Sequence, residues 1–333
     1  MSDDRARTAV VYICDQRYHR LTEFSIASLV MHHDGPLSIY FFQAEYTLPV
    51  DPHLLQYIKS EGQTLFIEHL SRATMDSERL EAAALHPHIS QVTLMKAYAI
   101  EAAAARHDQI AFVDSDILIF RDFSFGKLFD FKTSAAGVYD FVSYMPFDQQ
   151  DLIGHTQATG VSSDYMNAGL LLIHARNWLQ GSMLDRYLDK LDQHNRHCPY
   201  RHNERGEDPG DCKGADQCAL NMTFENDWTA IDFRWNAQKP IRHTPIWAEA
   251  FLRHYTGHRK FLTTSNVNRD WRELGLLRRI EREVKLSLPR FIYDGGLLYV
   301  ADTLKDFGET RGYKRVLRTL SDRMAGSAQR RAG

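Results

Sequence analysis

Apolar positions in the first third of the chain fall into short continuous runs separated by stretches of helical period. Thr8–Cys14 (TAVVYIC) is an unbroken β-branched and aromatic run, which predicts a strand buried on both faces. It stops at Asp15. Leu21, Phe24, Ala27, Ser28 and Leu29 then lie near helical spacing, and that helix ends at His32-His33-Asp34-Gly35-Pro36, a Gly-Pro stop. Leu37–Gln43 predicts a second strand, Asp51–Ser60 a second helix and Thr64–His69 a third strand. The Ala-rich Val92–Ala105 predicts a helix, and Gln109–Val113 a fourth buried strand. Alternation of this kind predicts an α/β, doubly wound, mostly parallel sheet with ligands at the carboxyl ends of its strands. Two of those ends are acidic: Asp15, and Asp114-Ser115-Asp116.

The second half is less regular. Tyr165–His174 predicts a strand entering a helix at Ala175–Gln193. His194–Cys212 is polar and loop-like, Ala215–Phe224 is a short helix and Ala250–Tyr255 a strand. Beyond Trp271, the apolar Leu274, Leu277, Ile280, Val284 and Leu288 interleave with Arg278, Arg279, Arg282 and Lys285. That pattern is a basic amphipathic helix, which can lie on an anionic membrane or pack its stripe on the protein body.

Composition narrows the class. With 333 residues, 44% of them apolar, the chain can bury a sizeable core and is not disordered. A net charge of −3 gives no basic footprint for nucleic acid. No window approaches the roughly 20 apolar residues of a membrane span, and the acidic start lacks a signal-peptide run, so a cytoplasmic location is expected. The charge is uneven, however: Trp271–Gly333 holds 14 Lys and Arg against 8 Asp and Glu, leaving 26 against 35 in the rest. This divides the chain into an acidic body, 1–268, and a basic tail, 269–333.

Two carboxylates one residue apart where a buried strand stops are electrostatically costly unless a cation neutralises them. Hard oxygen ligands suit Mg²⁺ or Mn²⁺ bridging a diphosphate; the plainer alternative is a turn cap beside a solvated Asp. His254-Tyr255-Thr256-Gly257-His258-Arg259-Lys260 follows a later strand. Its imidazole favours Mn²⁺ over Mg²⁺, its glycine permits close backbone approach to a phosphate and its lysine supplies a point charge. His194, His197, Cys198, His202, Cys212 and Cys218 contain no tight C-x2-C or H-x3-H pair, so a zinc site is disfavoured there. Cys14 has no base in its motif and reads as a packing residue.

Taken in order, these blocks resemble glycosyltransferase family 8, retaining enzymes that include lipopolysaccharide galactosyl- and glucosyltransferases and glycogenin. The resemblance rests on Ile13-Cys14-Asp15 with Tyr18, His88-Ile89-Ser90 with Lys96, and Asp114-Ser115-Asp116. It continues through Met166–Ile173 (MNAGLLLI), Asp216-Gln217-Cys218-Ala219-Leu220-Asn221 and His254–Lys260. Lys96 stands where the family usually has Arg, and the closing motif lacks the usual G-P-x-K-P-W.

The resemblance implies a GT-A type fold and metal-dependent, retaining transfer of a hexose from a UDP-sugar, UDP-glucose or UDP-galactose. The acceptor would be a glycan, a lipid-linked sugar or a protein, with Mn²⁺ as cofactor and Mg²⁺ as substitute. It implies Asp114, Asp116 and His254 as metal ligands, and Asp216 and Gln217 beside the anomeric carbon. It further implies Asp15, Tyr18, Lys96, Asp114, Ser115, Asn167, Ala168, Gly257 and Lys260 as nucleotide-sugar contacts. A lipid-linked acceptor would bring the chain to the inner face of a membrane through its tail. The alternative is a non-catalytic member that kept the fold to bind a sugar nucleotide or glycan.

Overall fold

Strand β1 (Thr8–Cys14) is buried at every position, as a continuous β-branched run requires when both faces of a sheet are covered. It is an interior strand of the sheet, between the strands Ser38–Ala44 and Gln109–Val113. The computed structural model describes residues 8–75, 91–141, 164–197 and 215–289, except 226, 258 and 264–268, together with most of 310–325. The expected His88-Ile89-Ser90 block, Cys198, His202, Cys212 and His258 lie outside the described residues.

After β1 come α1 (His19–His32), β2 (Ser38–Ala44), α2 (Pro52–Ser60), β3 (Thr64–Leu70), α3 (Lys96–Ala104) and β4 (Gln109–Val113). Asp51 caps α2 by accepting from the His53 N–H at 2.9 Å, with Pro52 in the first turn. Then follow β5 (Ile117–Ile119), β6 (Ala135–Tyr139), β7 (Met166–His174), α4 (Ala175–Gln180), α5 (Met183–His197) and α6 (Ala215–Phe224). The remaining elements are β8 (Trp228–Ala230), β9 (Ala237–Gln238), α7 (Pro245–Glu249), β10 (Leu252–His254) and α8 (Trp271–Glu283).

The main sheet has the order β3-β2-β1-β4-β7-β6-β8. Six strands run one way and β7 is reversed, antiparallel to both β4 and β6. From β1 the chain winds outward to β2 and β3, then returns to place β4 on the other side. The crevice between the carboxyl ends of β1 and β4 is therefore the topological switch point where such sheets bind ligands. A second, three-stranded sheet has the order β5-β10-β9.

Three local readings differ from the sequence pattern. The helix expected over Ala175–Gln193 is two helices, α4 and α5, broken at Gly181-Ser182, where Ser182 adopts a left-handed φ of 47°. The Val92–Ala105 segment opens as a tight 3-10 turn over Gln91–Met95 before α3 begins at Lys96. The helix from Trp271 stops at Glu283 because Lys285 turns left-handed, with φ 64°. Within α8, Leu276, Leu277 and Ile280 are buried and the helix packs on α1, while Trp271 is 77% exposed. Arg278 and Arg282 face water.

Candidate active site

Backbone pairing brings distant motifs together. β4 ends at Val113, and the Asp114 N–H continues the ladder by donating to the Gly169 carbonyl of β7 at 2.8 Å. This sets Asn167 and Ala168 beside Asp114. On the other side, β10 pairs antiparallel with β5 so that His254 faces Ile117, and the Tyr255 N–H donates to the Asp116 carbonyl at 3.0 Å. His254 is thereby held against the two aspartates from 138 residues away.

Nε2 of His254 lies 3.2 Å from Asp116 Oδ1 and 3.7 Å from Asp114 Oδ2. Its Nδ1 is 3.0 Å from Asn236 Oδ1. Among the described residues, Asp114, Asp116 and His254 can each place one ligand atom so that all lie within 4.8 Å of one another. Two hard carboxylates and one imidazole nitrogen at this spacing fit a divalent ion of the Mn²⁺ or Mg²⁺ type.

The charges around this triad argue the same way. Lys96, at the start of α3, places Nζ 3.1 Å from both Asp114 Oδ1 and Asp216 Oδ2. Burial opposes its charge, but the two carboxylates outweigh burial and hold the ammonium above the ordinary lysine range. Lys260 turns back onto Asp116 and also donates to the Tyr255 carbonyl at 3.0 Å. Burial would raise Asp116, yet the Lys260 ammonium holds it well below the usual carboxylate range. Asp114 moves the other way, raised by burial and by Asp116 against the pull of Lys96. Asp114, Asp116 and Asp216 against Lys96 and Lys260 leave one uncompensated negative charge. A divalent cation at the triad offsets that charge.

The remaining expected residues line the same cleft, of about 320 Å³, that holds the triad. Asp15 caps the turn Gln16–Tyr18, accepting from the Arg17 N–H at 2.9 Å, and pairs with the Arg17 guanidinium at 2.8 Å. The Tyr18 ring lies 5.7 Å from Lys260 Nζ. Ser115 is buried: its hydroxyl accepts from Thr22 at 2.8 Å, tying the Asp-Ser-Asp turn to α1. Gly257 has φ 78°, a left-handed conformation that glycine adopts without strain, and it lets the chain reverse between His254 and Lys260. In α6, Asn221 exchanges hydrogen bonds with both the N–H and the carbonyl of Met166, clamping the helix to β7. Asp216 and Gln217, one turn earlier, thus reach the cleft.

Arg17, Asp140 and Asn236 belong to this assembly but were not among the expected residues. Asp140 accepts from Asn167 at 2.9 Å and from Gln217 at 2.8 Å. It is the third acidic residue to follow an apolar strand (AAGVY), a signal the sequence does carry. Asn236 follows a 3-10 turn over Phe233–Trp235 and has no local signal. Of the disfavoured zinc cluster, Cys218 is buried against the Tyr165 hydroxyl at 2.9 Å. Cys14 is buried against Tyr46, and burial raises its thiol to about 11.

Residues 9–261 match the family model of glycosyl transferase family 8. The chain belongs to this family. A curated relative, glycosyltransferase GlyF of Streptococcus pneumoniae serotype 4 (strain ATCC BAA-334 / TIGR4), is 22% identical over 293 residues. The alignment covers 82% of this chain, and the chain spans 64% of that relative's length. Among solved structures, galactosyltransferase LgtC in complex with donor and acceptor sugar analogs superposes with a TM-score of 0.61 at 19% identity. That match covers 85% of this chain and 98% of that one. The bifunctional glycosyltransferase WbbM in its apo form gives a TM-score of 0.58 at 15% identity, covering 83% and 52%. These likenesses show the fold, a mostly parallel α/β sheet of the GT-A type. Asp114, Asp116 and His254 form a candidate site for the divalent metal that GT-A enzymes commonly use. Among the described residues, no helix is long and apolar enough to cross a membrane.

Proposed function

We propose that this chain is a Mn²⁺-dependent retaining hexosyltransferase. In this reading it takes glucose or galactose from a UDP-sugar and passes it to a glycan, lipid-linked or protein acceptor, with Mg²⁺ as the weaker substitute. The observation that carries the reading is the convergence of Asp114, Asp116 and His254 with Lys96, Lys260, Asp216 and Gln217 in one cleft at the switch point of the sheet.

Asp15 and Tyr18, at the end of β1, take the nucleoside. Asn167, Ala168 and Lys96 hold the sugar and diphosphate from the side of β7 and α3. Bound at the triad, the ion supplies Lewis-acid stabilisation of the leaving diphosphate. Lys260 adds a point charge there, and the reverse turn at Gly257 lets backbone approach the phosphates closely. Gln217 is a poor nucleophile, and its carbonyl oxygen already accepts from the Ala168 N–H at 3.0 Å. Front-side attack by the acceptor, with departure and attack on one face, therefore fits better than a covalent intermediate on Gln217. Asp216 is neutralised by Lys96 and serves to bind sugar hydroxyls.

In this reading the catalytic residues all lie within 1–268, and 269–333 forms a basic segment docked on that body through α8. The apolar stripe of α8 is covered by the protein, so contact with an anionic membrane rests on Trp271, Arg278 and Arg282. Such contact is electrostatic and is lost at high salt. The deciding experiment is release of UDP from a panel of UDP-sugars by metal-stripped protein, with Mn²⁺, Mg²⁺ or Ca²⁺ restored. Turnover of one donor, greatest with Mn²⁺, is expected. Tight UDP binding with no turnover of any donor would establish the non-catalytic alternative instead.

A further inference from the structure

Behind the cleft runs a line of side-chain hydrogen bonds whose direction is determined from end to end. It starts at Asp140, just past β6 and 7% exposed. Its Oδ2 accepts from Asn167 Nδ2 at 2.9 Å and from Gln217 Nε2 at 2.8 Å. A carboxylate oxygen can only accept, so both amides must turn their NH₂ groups toward it. Asn167 then presents its carbonyl oxygen in the opposite direction. The Gly169 backbone N–H, which can only donate, meets that oxygen at 3.0 Å and requires the same orientation independently.

The next link is Asn236, which is fully buried. Its Nδ2 donates to Asn167 Oδ1 at 2.8 Å, so its own carbonyl oxygen faces His254 Nδ1 at 3.0 Å. An oxygen at that position accepts, and the imidazole proton must sit on Nδ1. In the neutral ring, Nε2 is then left with a bare lone pair facing Asp114 and Asp116. Reversing Asn236 would set its oxygen against the oxygen of Asn167, which the Gly169 N–H and Asp140 prevent from turning.

The alternative tautomer has a definite consequence. With the proton on Nε2, His254 would donate to Asp116 Oδ1, 3.2 Å away, and the triad would satisfy itself as a closed hydrogen-bonded cluster. A cation would then have to break that bond before binding. Amide links that hold the proton on Nδ1 keep the triad in its metal-accepting form. We propose that Asp140 is a positioning residue that sets the His254 tautomer through Asn167 and Asn236. The same carboxylate oxygen orients the Gln217 amide, so the metal side and the sugar side of the cleft share one anchor. This rests on the reading of Asp114, Asp116 and His254 as a divalent-metal site.

The test uses full-length, metal-free protein labelled with ¹⁵N-histidine. Long-range ¹H–¹⁵N correlation spectra report which ring nitrogen carries the proton, and His254 is identified by the signal lost in His254→Gln. Wild type is expected as the Nδ1–H tautomer. Asp140→Leu and Asn236→Leu should shift it toward Nε2–H and weaken Mn²⁺ binding, read by electron paramagnetic resonance, by about tenfold or more. Asp140→Asn keeps an acceptor oxygen for both amides and should restore both readouts. Circular dichroism melts identify variants that fold; if Asp140→Leu does not, Asn236→Leu and Asp140→Asn still decide.

A wild-type Nε2–H tautomer overturns the proposal. So do folded leucine variants that keep the Nδ1–H form and bind Mn²⁺ within about twofold of wild type. Wild-type protein that binds no Mn²⁺ refutes the metal reading instead, and the tautomer spectra still decide the role of Asp140.

Discussion

Gly169 occupies the middle of β7, and the reason it is glycine is space. A Cβ built there would overlap Cε1 of His254, lie 2.5 Å from Nδ1 and lie 2.9 Å from Asn167 Oδ1. Ordinary contact is about 3.5 Å, so Gly169→Ala asks the imidazole to retreat by about 1 Å. It cannot retreat with its backbone, because β10 is pinned to β5 at Ile117 and the Tyr255 N–H is bonded to the Asp116 carbonyl. The ring must swing instead, breaking its bond to Asn236 and carrying Nε2 away from the aspartates. Overpacking of this kind costs about 2 kcal/mol of stability, and displacing a ligand by about 1 Å costs about 100-fold in rate. Urea unfolding, Mn²⁺ binding by electron paramagnetic resonance and UDP release measure the three consequences separately. Gly275→Ala is the control: nothing lies within 4 Å of its Cβ, and alanine at this exposed position of α8 should add up to about 1 kcal/mol with no effect on metal. A folded Gly169→Ala that binds Mn²⁺ as tightly as wild type would show that His254 is not a ligand.

Asp114→Ala and Asp116→Ala should both abolish transfer, but Asp116→Ala should also lower stability by about 3 kcal/mol in urea unfolding, because it leaves the buried Lys260 ammonium without a carboxylate. Equal unfolding midpoints for the two variants would contradict this. Glu273, fully buried in the first turn of α8, is raised by burial from an ordinary 4.5 to about 7, against the pull of Arg242 and Arg269. The folded protein therefore keeps a proton that the unfolded chain has lost, and stability should fall as pH rises from 4.5 to about 7, by up to about 3 kcal/mol. Glu273→Gln should flatten that slope in melts across the window. Asp270 caps α8 and binds the buried Arg253 at 2.8 Å, so Asp270→Ala should cost about 3 kcal/mol, read by thermal melting.

What the sequence reveals of this site is whatever is written locally. β1 and β4 are legible as unbroken apolar runs because both faces are covered, and their acidic ends mark the cleft before any partner is known. Gly257, with its positive φ, is legible for the same local reason. β5, β8 and β9 are two or three residues long, too short for a period of two to register. The break at Gly181-Ser182 is hidden because apolar spacing continues across it; only the left-handed turn at Ser182 separates the helices.

The site depends on distant pairings as well as on local motifs. His254 meets Asp116 because β10 lies antiparallel to β5, and no spacing in the chain encodes that register. Lys96 shows how much the missing context matters. In sequence it is a lysine where the family usually carries arginine, and it reads as a loss of bidentate recognition. In the structure it stands between Asp114 and Asp216, 3.1 Å from each, where two carboxylates from different elements converge on one nitrogen. A compact ammonium meets that geometry directly, whereas a planar guanidinium is shaped to grip one carboxylate through two parallel bonds. Lys96→Arg is therefore not a return to a better residue. It should favour Asp114 or Asp216 at the expense of the other, and Mn²⁺ affinity, read beside UDP release, should change with the choice. Unchanged metal affinity and unchanged turnover in Lys96→Arg would mean that the bridge between the two carboxylates contributes nothing to the site.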